Sequence, residues 1–145
     1  MQRKFGSPKL LLILTATMAL ALGAHADGKK STVDTSKLPP AADKPGVTYA
    51  SDIKVILEKS CTKCHGAEKQ KGKLRLDSLA GALKGGEEGK IIEPGDSAKS
   101  TMVHSIAQLG DEDFWMPPKE NKAKIPPLTK EQIGLIRAWI DQGAK

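Results

Sequence analysis

The chain has 145 residues, with 23 lysines and arginines against 17 aspartates and glutamates, and a formal net charge of +6. Only 3% of the residues are aromatic, and no cluster of basic residues is interleaved with aromatic ones. Because nucleic-acid-binding surfaces combine those two features, we expect no nucleic-acid partner. The length is that of one domain.

Residues 1–26 have the pattern of a secretory signal peptide. Arg3 and Lys4 precede an apolar run from Leu10 to Leu22, and Ala24-His25-Ala26 supplies the small residues that a signal peptidase requires. An uncleaved run would act as a membrane anchor, but a helix over 10–22 is about 20 Å long against roughly 30 Å of hydrocarbon. We therefore expect cleavage near Ala26, a periplasmic or secreted protein, and no stable membrane insertion.

The mature chain divides into a polar lead-in and a helical domain. Residues 27–47 are rich in proline, glycine and lysine without an apolar period, which predicts a flexible segment. Residues 48–145 form the predicted domain. A first helix is predicted from Tyr49 to Ser60, and the glycine-rich stretch Gly66–Gly89 predicts a loop with a short helical turn near Ser78–Leu83.

Two further helices are predicted beyond that loop. One follows Pro94-Gly95-Asp96, with an apolar stripe of Met102, Val103, Ile106 and Leu109. The four prolines within 114–127 predict a long loop. The last helix has Thr129 as its N-cap, Gly143 at its end, and an apolar face of Ile133, Ile136, Trp139 and Ile140. The predicted fold class is all-α.

The chain has only two cysteines, Cys61 and Cys64, and His65 follows directly. A C-x-x-C-H sequence is typical of covalent c-type haem attachment, in which each thiol bonds one porphyrin vinyl group and the histidine binds the iron. A redox dithiol and a zinc site are the alternatives. No strand and helix of the thioredoxin type surround Cys61, and His104 is the only other histidine of the mature chain.

Three residues are candidates for the sixth iron ligand. Met116 is preferred because Pro117 restricts its backbone to an extended shape and Pro118 stiffens the segment that follows. Met102 shares a helical stripe with core residues, which is more typical of packing. His104 lies off that stripe and would serve only in a bis-histidine site.

Cations in the glycine-rich loop are candidate partners for the haem propionates. Lys73 and Arg75 alternate with Leu74 and Leu76, so cations and leucines would point in opposite directions. We expect Arg75 to contact the cofactor, because its planar guanidinium suits a carboxylate; solvated charge is the alternative. Trp115 is interpreted either as a wall of the haem pocket or as a residue outside it.

The chain resembles the planctomycete-type cytochrome c domain, within the class I-like c-type cytochromes, from about Tyr49 to Ala144. The matching segments are CTKCHG at 61–66, KGKLRLDS at 71–78, KGG at 84–86, IEPG at 92–95, MPP at 116–118, LT at 128–129 and WIDQGA at 139–144. The resemblance implies a small helical domain around one covalent haem, with His65 and Met116 as axial ligands. Val55 stands where such domains often have proline, and the family usually occurs at the front of larger proteins.

These observations predict a single-electron carrier that is not an enzyme, with unidentified redox proteins as donor and acceptor. A ligand-binding or peroxidase-like haem protein with an open or labile sixth site is one alternative. An electron-transfer subunit of a larger periplasmic enzyme is another. Because about a hundred ordered residues make a modest core, the haem should itself be part of that core.

Overall fold

The structure of the protein is a computed structural model, which describes residues 33–145. The predicted signal peptide and the beginning of the lead-in lie outside these residues. Four α-helices are formed: α1 (Lys54–Ser60), α2 (Leu79–Lys84), α3 (Thr101–Ile106) and α4 (Lys130–Asp141). Shorter helical segments are a π-helix at Tyr49–Ile53 and 3-10 helices at Thr35–Lys37, Lys71–Lys73 and Glu112–Phe114.

The predicted all-α class is confirmed. Within 33–145 the only β-pairings are two isolated bridges, His65 with Gln70 and Gly86 with Gly89. No helix of this part of the chain has the length and apolar character needed to cross a lipid bilayer.

The predicted first helix is present, but it is a π-helix at its start and an α-helix afterwards. Thr48 caps it by accepting from the Ser51 amide, the first turn is a π-helix, and the α-helical part follows from Lys54. Tyr49 and Ile53 from the π-turn are buried, as are Ile56 and Leu57 from α1. One apolar face of the first helix therefore packs in the core, and the helix ends directly at Cys61.

Helix α4 is the centre of the core. Thr129 is the N-cap, as predicted, and forms a capping box with Gln132. Trp139, Ile136 and Ile140 are fully buried. The Trp139 ring lies 6.0 Å from the Tyr49 ring at an interplanar angle of 51°, within the range of favourable aromatic pairs.

Residues 38–47 correct the expectation of a flexible lead-in. Leu38 and Val47 are buried in the core. The Ala42 amide donates to the Gly134 carbonyl at 2.9 Å, and the Arg137 guanidinium donates to the Pro39 carbonyl. We call residues 38–47 the strap. Leu38 and Val47 stand too far apart to show a helical or strand period. The prediction of a flexible segment therefore rested on composition alone.

Helix α3 is shorter than its apolar stripe. It begins at Thr101 and ends at Ile106, which leaves Leu109 outside. Ser100 precedes it, but its hydroxyl donates to the Asp96 carbonyl and accepts from the Glu93 amide. The Ser100 hydroxyl is thus bonded within the turn that follows Pro94 and does not cap α3.

Candidate functional site

The C-terminal end of α1 presents the two cysteines and the histidine in one turn. Cys61 caps α1, with its amide donating to the Leu57 carbonyl at 2.7 Å. The amides of Cys64 and His65 both donate back to the Cys61 carbonyl, at 3.0 and 2.9 Å. The side chains of all three residues line one cavity of about 570 Å³, a size typical of sites for small molecules and cofactors.

Hydrogen bonding fixes the tautomer of His65. Its Nδ1 lies 3.0 Å from the Lys71 carbonyl oxygen, which can only accept, so Nδ1 carries the proton and Nε2 is left with a free lone pair. Burial lowers the pKa of His65, partly opposed by that hydrogen bond. A neutral imidazole with a carbonyl behind it has the arrangement usual for metal-binding histidines.

The thiols of Cys61 and Cys64 are both partly buried. They are not joined in a disulfide. Burial, with a smaller contribution from the charge of Cys64, raises the pKa of Cys61 to about 12. Reactive dithiols have a thiol pKa below its ordinary value, so this shift argues against a redox dithiol.

Two of the three candidate sixth ligands lie at the cavity. Met116 and Met102 both line it, Met102 from α3 and Met116 from the proline-rich loop. The Met116 amide donates to the Ser105 carbonyl at 3.0 Å, which ties this loop to the end of α3. His104 is not among the lining residues, and its Nε2 lies 2.7 Å from the Ala98 carbonyl oxygen. The structure therefore does not bring His104 to the site.

Arg75 does not reach the cavity, which corrects the expectation that it contacts the cofactor. Its guanidinium forms two hydrogen bonds with the Asp77 carboxylate, at 3.0 and 2.6 Å. Leu74 and Leu76 line the cavity. The predicted alternation of leucines and cations is therefore present. Because Leu74 and Leu76 face the cavity, Lys73 and Arg75 face away from it.

Sequence reasoning missed the cations that do surround the site. Lys63, Lys69, Lys71 and Lys122 line the cavity, with Glu120 as the acidic residue of the lining. Lys63 lies inside the C-x-x-C-H sequence, so the sequence alone could have placed it at the site. The other three lysines lie in segments without periodicity, so the direction of their side chains could not be inferred from their spacing.

Of the two neighbouring aromatic residues Phe114 and Trp115, one lines the cavity and the other does not. Phe114 lines the cavity and is 64% exposed. Trp115 is absent from the lining, which favours the interpretation that places it outside the pocket. Its ring lies 4.8 Å from the Lys119 Nζ, and its indole N–H is buried and finds no hydrogen-bond partner among residues 33–145.

The cavity fits a covalently held haem by its donor set and its walls. Two thiols stand beside an imidazole whose Nε2 is free, and a thioether sulfur is available from a separate segment. Aliphatic side chains cover the rest, among them Leu74, Leu76, Ile91, Ile106 and Leu128. Residues 33–145 contain no cluster of three or more His, Cys, Asp or Glu placed to hold a metal ion.

Comparison with known proteins agrees with this arrangement. A family model described as planctomycete cytochrome C matches residues 61–120, which confirms the resemblance noted in the sequence. The chain matches none of the curated proteins and none of the solved structures compared with it. The family indicates a covalent c-type haem with iron and a role in electron transfer.

Proposed function

We propose that the protein is a single-electron carrier, because a family model described as planctomycete cytochrome C matches residues 61–120. It holds one haem through Cys61 and Cys64, with His65 and Met116 as the two axial ligands. We further propose that it works outside the cytoplasm with separate donor and acceptor proteins, and that it catalyses no reaction of its own.

One observation carries the proposal: a single cavity is lined by both thiols, by the His65 imidazole and by the Met116 thioether. The first three come from one turn after α1, and the fourth comes from a loop about fifty residues later in the chain. A histidine and a methionine together raise the reduction potential of haem iron, which is the ligand pair of electron-carrying cytochromes. When bound, the haem supplies a reversible one-electron centre.

The chain's own residues keep the two ligand positions stable. The Lys71 carbonyl holds the His65 ring in the tautomer that leaves Nε2 available. The Leu76 amide donates to the His65 carbonyl at 2.7 Å, which fixes the backbone under that ring. The Met116 amide bond to Ser105 fixes the other ligand. Two ligands held in place need little rearrangement when the charge on the iron changes.

The residues that line the cavity support electron transfer over catalysis. Aliphatic side chains form much of the wall, and four lysines are among its polar residues. Apart from His65, the described lining includes no second histidine, and Glu120 is exposed to solvent. A peroxidase-like reaction needs a general acid and base beside the iron, and these residues do not provide a convincing pair.

The test uses the exported, haem-loaded protein and its Met116→Ala variant. A pyridine derivative should report one c-type haem per chain. The ferric wild-type protein should show the weak long-wavelength absorption of sulfur bound to iron, and the ferrous form should not bind carbon monoxide. Met116→Ala should lose that absorption and bind carbon monoxide.

Met102→Leu is the matched control, because it removes the other sulfur of the cavity while keeping an apolar side chain of similar size. It should leave the absorption and the lack of carbon monoxide binding unchanged. A colourless exported protein would refute haem attachment, and an absorption that disappears in Met102→Leu but persists in Met116→Ala would refute the ligand assignment.

A labile sixth site is the second candidate, and one observation favours it. The loop that carries Met116 has little regular hydrogen bonding, since between Pro117 and Leu128 a single backbone-to-backbone hydrogen bond is formed. A wild-type ferrous protein that binds carbon monoxide readily would support a ligand-binding role instead. Stable co-purification with a larger enzyme would favour the subunit role.

A further inference from the structure

The segment from Pro117 to Leu128 cannot hold its own shape through its backbone. Four of its residues are prolines, which have no amide hydrogen to donate. Its one backbone-to-backbone hydrogen bond runs from the Lys124 amide to the Asn121 carbonyl at 2.9 Å. Most of the loop's polar backbone groups must therefore bond to side chains or to water.

The Asn121 side chain supplies the missing bonds. Its Nδ2 donates to the Pro118 carbonyl and to the Ile125 carbonyl, each at 3.0 Å. Its Oδ1 accepts from the Ile125 amide at 2.8 Å. Both donor hydrogens and the acceptor of one amide group are thus used to join the two ends of residues 118–125.

This closure lies next to the proposed sulfur ligand. Pro118 is two residues after Met116, and Met116 is held on its other side by the bond to Ser105. Asn121, Pro118 and Ile125 also line the cavity. The thioether therefore extends from a short segment that has one anchor on α3 and a second at Asn121.

We propose that Asn121 is a positioning residue that keeps Met116 on the iron, an inference that rests on the proposed His/Met ligation. Asn121 does not touch the iron in this role. It restrains Pro118, and so limits the excursions by which the Met116 sulfur would move out of the cavity.

The expected size follows from the hydrogen bonds. The bond to Pro118 is solvent-exposed and the two bonds to Ile125 are half-buried, so water replaces only part of what their loss removes. The loss of all three bonds should therefore raise the population of the sulfur-free state at least about ten-fold. An external ligand that competes for the iron should gain apparent affinity by the same factor.

The experiment titrates imidazole into the ferric, haem-loaded wild-type protein and its variants. Asn121→Ala should bind imidazole at least about ten-fold more tightly than the wild type. It should also have a weaker long-wavelength sulfur absorption and a lower reduction potential. Hydrogen exchange at the Ile125 amide should be faster, which reports the opened loop without reference to the haem.

Asn121→Asp is the discriminating variant. Aspartate has nearly the shape of asparagine and keeps the acceptor for the Ile125 amide, but its carboxylate cannot donate to the Pro118 and Ile125 carbonyls. If donation matters, Asn121→Asp should resemble Asn121→Ala. If only the volume of the side chain matters, it should resemble the wild type and the inference would be wrong.

Lys124→Ala is the control in the same turn, because the Lys124 contribution to the loop is made by its backbone amide. It should leave imidazole affinity within about two-fold of the wild type, since surface substitutions outside such contacts have small effects. Unchanged imidazole affinity in Asn121→Ala, in a wild-type background that shows the sulfur absorption, overturns this inference alone. A wild type without that absorption overturns the proposed ligation itself.

Discussion

Helix α4 and the loop from Pro117 to Leu128 are neighbours in sequence, but different forces hold them in place. Helix α4 has a capping box and a face of fully buried side chains, and the strap crosses it. The loop has four prolines, one backbone-to-backbone hydrogen bond and one asparagine that closes it. Packing determines the position of the helix, whereas a few polar contacts determine that of the loop.

The difference shows how a small domain can combine a stable fold with an adjustable cofactor site. Burial of large apolar side chains supplies most of the stability of a core. A loop with few buried contacts opens at a lower free energy than the core does. A change in α4 should therefore appear mainly in global stability, and a change in the loop mainly in the properties of the haem.

The largest expected effect compares Trp139 of α4 with Trp115, which lies just before the loop. Trp139 is 0% exposed and donates its indole N–H to the Lys145 carbonyl at 2.9 Å, whereas Trp115 is half-buried with its N–H unpartnered. In guanidinium unfolding of the haem-loaded protein, Trp139→Ala should cost about 3–5 kcal/mol, and Trp115→Ala about 1 kcal/mol. Equal costs would show that the segment leading into the loop is as tightly packed as the core.

A smaller effect tests whether the strap is seated on α4. A Cβ added at Gly134 would lie 2.7 Å from the Pro40 carbonyl oxygen. Glycine to alanine inside a helix ordinarily stabilises by about 1 kcal/mol, but here the contact should reverse the sign, with a net loss of about 1–2 kcal/mol.

Glu131→Ala, on the exposed side of α4, is the control and should change stability by less than about 0.5 kcal/mol. The comparison is made by thermal or denaturant unfolding of the three proteins. A more stable Gly134→Ala protein would mean that the strap leaves this helix in solution.

The smallest effect concerns acid pH. Asp52, in the π-turn, accepts from the Lys44 ammonium of the strap, the Ser51 hydroxyl and the Thr48 amide. The Lys44 hydrogen bond is the largest of the contributions that hold the pKa of Asp52 well below its ordinary value. Stabilisation by this carboxylate is therefore complete above about pH 4, the pKa of an unfolded aspartate, and is lost as the pH falls toward the folded value.

Asp52→Asn should be less stable than the wild type at pH 7 and should show a shallower loss of stability between about pH 4 and pH 2. Unfolding midpoints measured across that range would check the slope. A parallel pH dependence in the two proteins would show that other carboxylates account for the acid sensitivity.

Regular elements were predictable because their patterns repeat. Ile133, Ile136, Trp139 and Ile140 recur at helical spacing between a threonine cap and a terminal glycine, and the structure contains that helix. The C-x-x-C-H sequence predicted that three neighbouring residues share one site, and Cys61, Cys64 and His65 line one cavity. Their role in attaching a haem stays a prediction.

Irregular contacts were not predictable because no repeating pattern marks the residues that form them, whether those residues are far apart or close together in the chain. Leu38 and Val47 are buried, and Ala42 between them bonds to Gly134 of α4, about ninety residues away. The partner of Arg75 proved to be Asp77, two residues ahead, where the expectation had been a cofactor carboxylate. Asn121 has no periodic neighbour to mark it, and only the structure shows its three hydrogen bonds within the loop.

Leu76 connects the core to His65, the proposed iron ligand, through its main chain. Its carbonyl accepts from the Tyr49 hydroxyl at 3.0 Å, and its amide donates to the His65 carbonyl. A two-bond path therefore runs from the ring of Tyr49, which lies against Trp139 of α4, to the backbone under the imidazole. The orientation of His65 is thus tied to the same aromatic pair that packs the first helix against the last, and a disturbance of that pair should be felt at the imidazole.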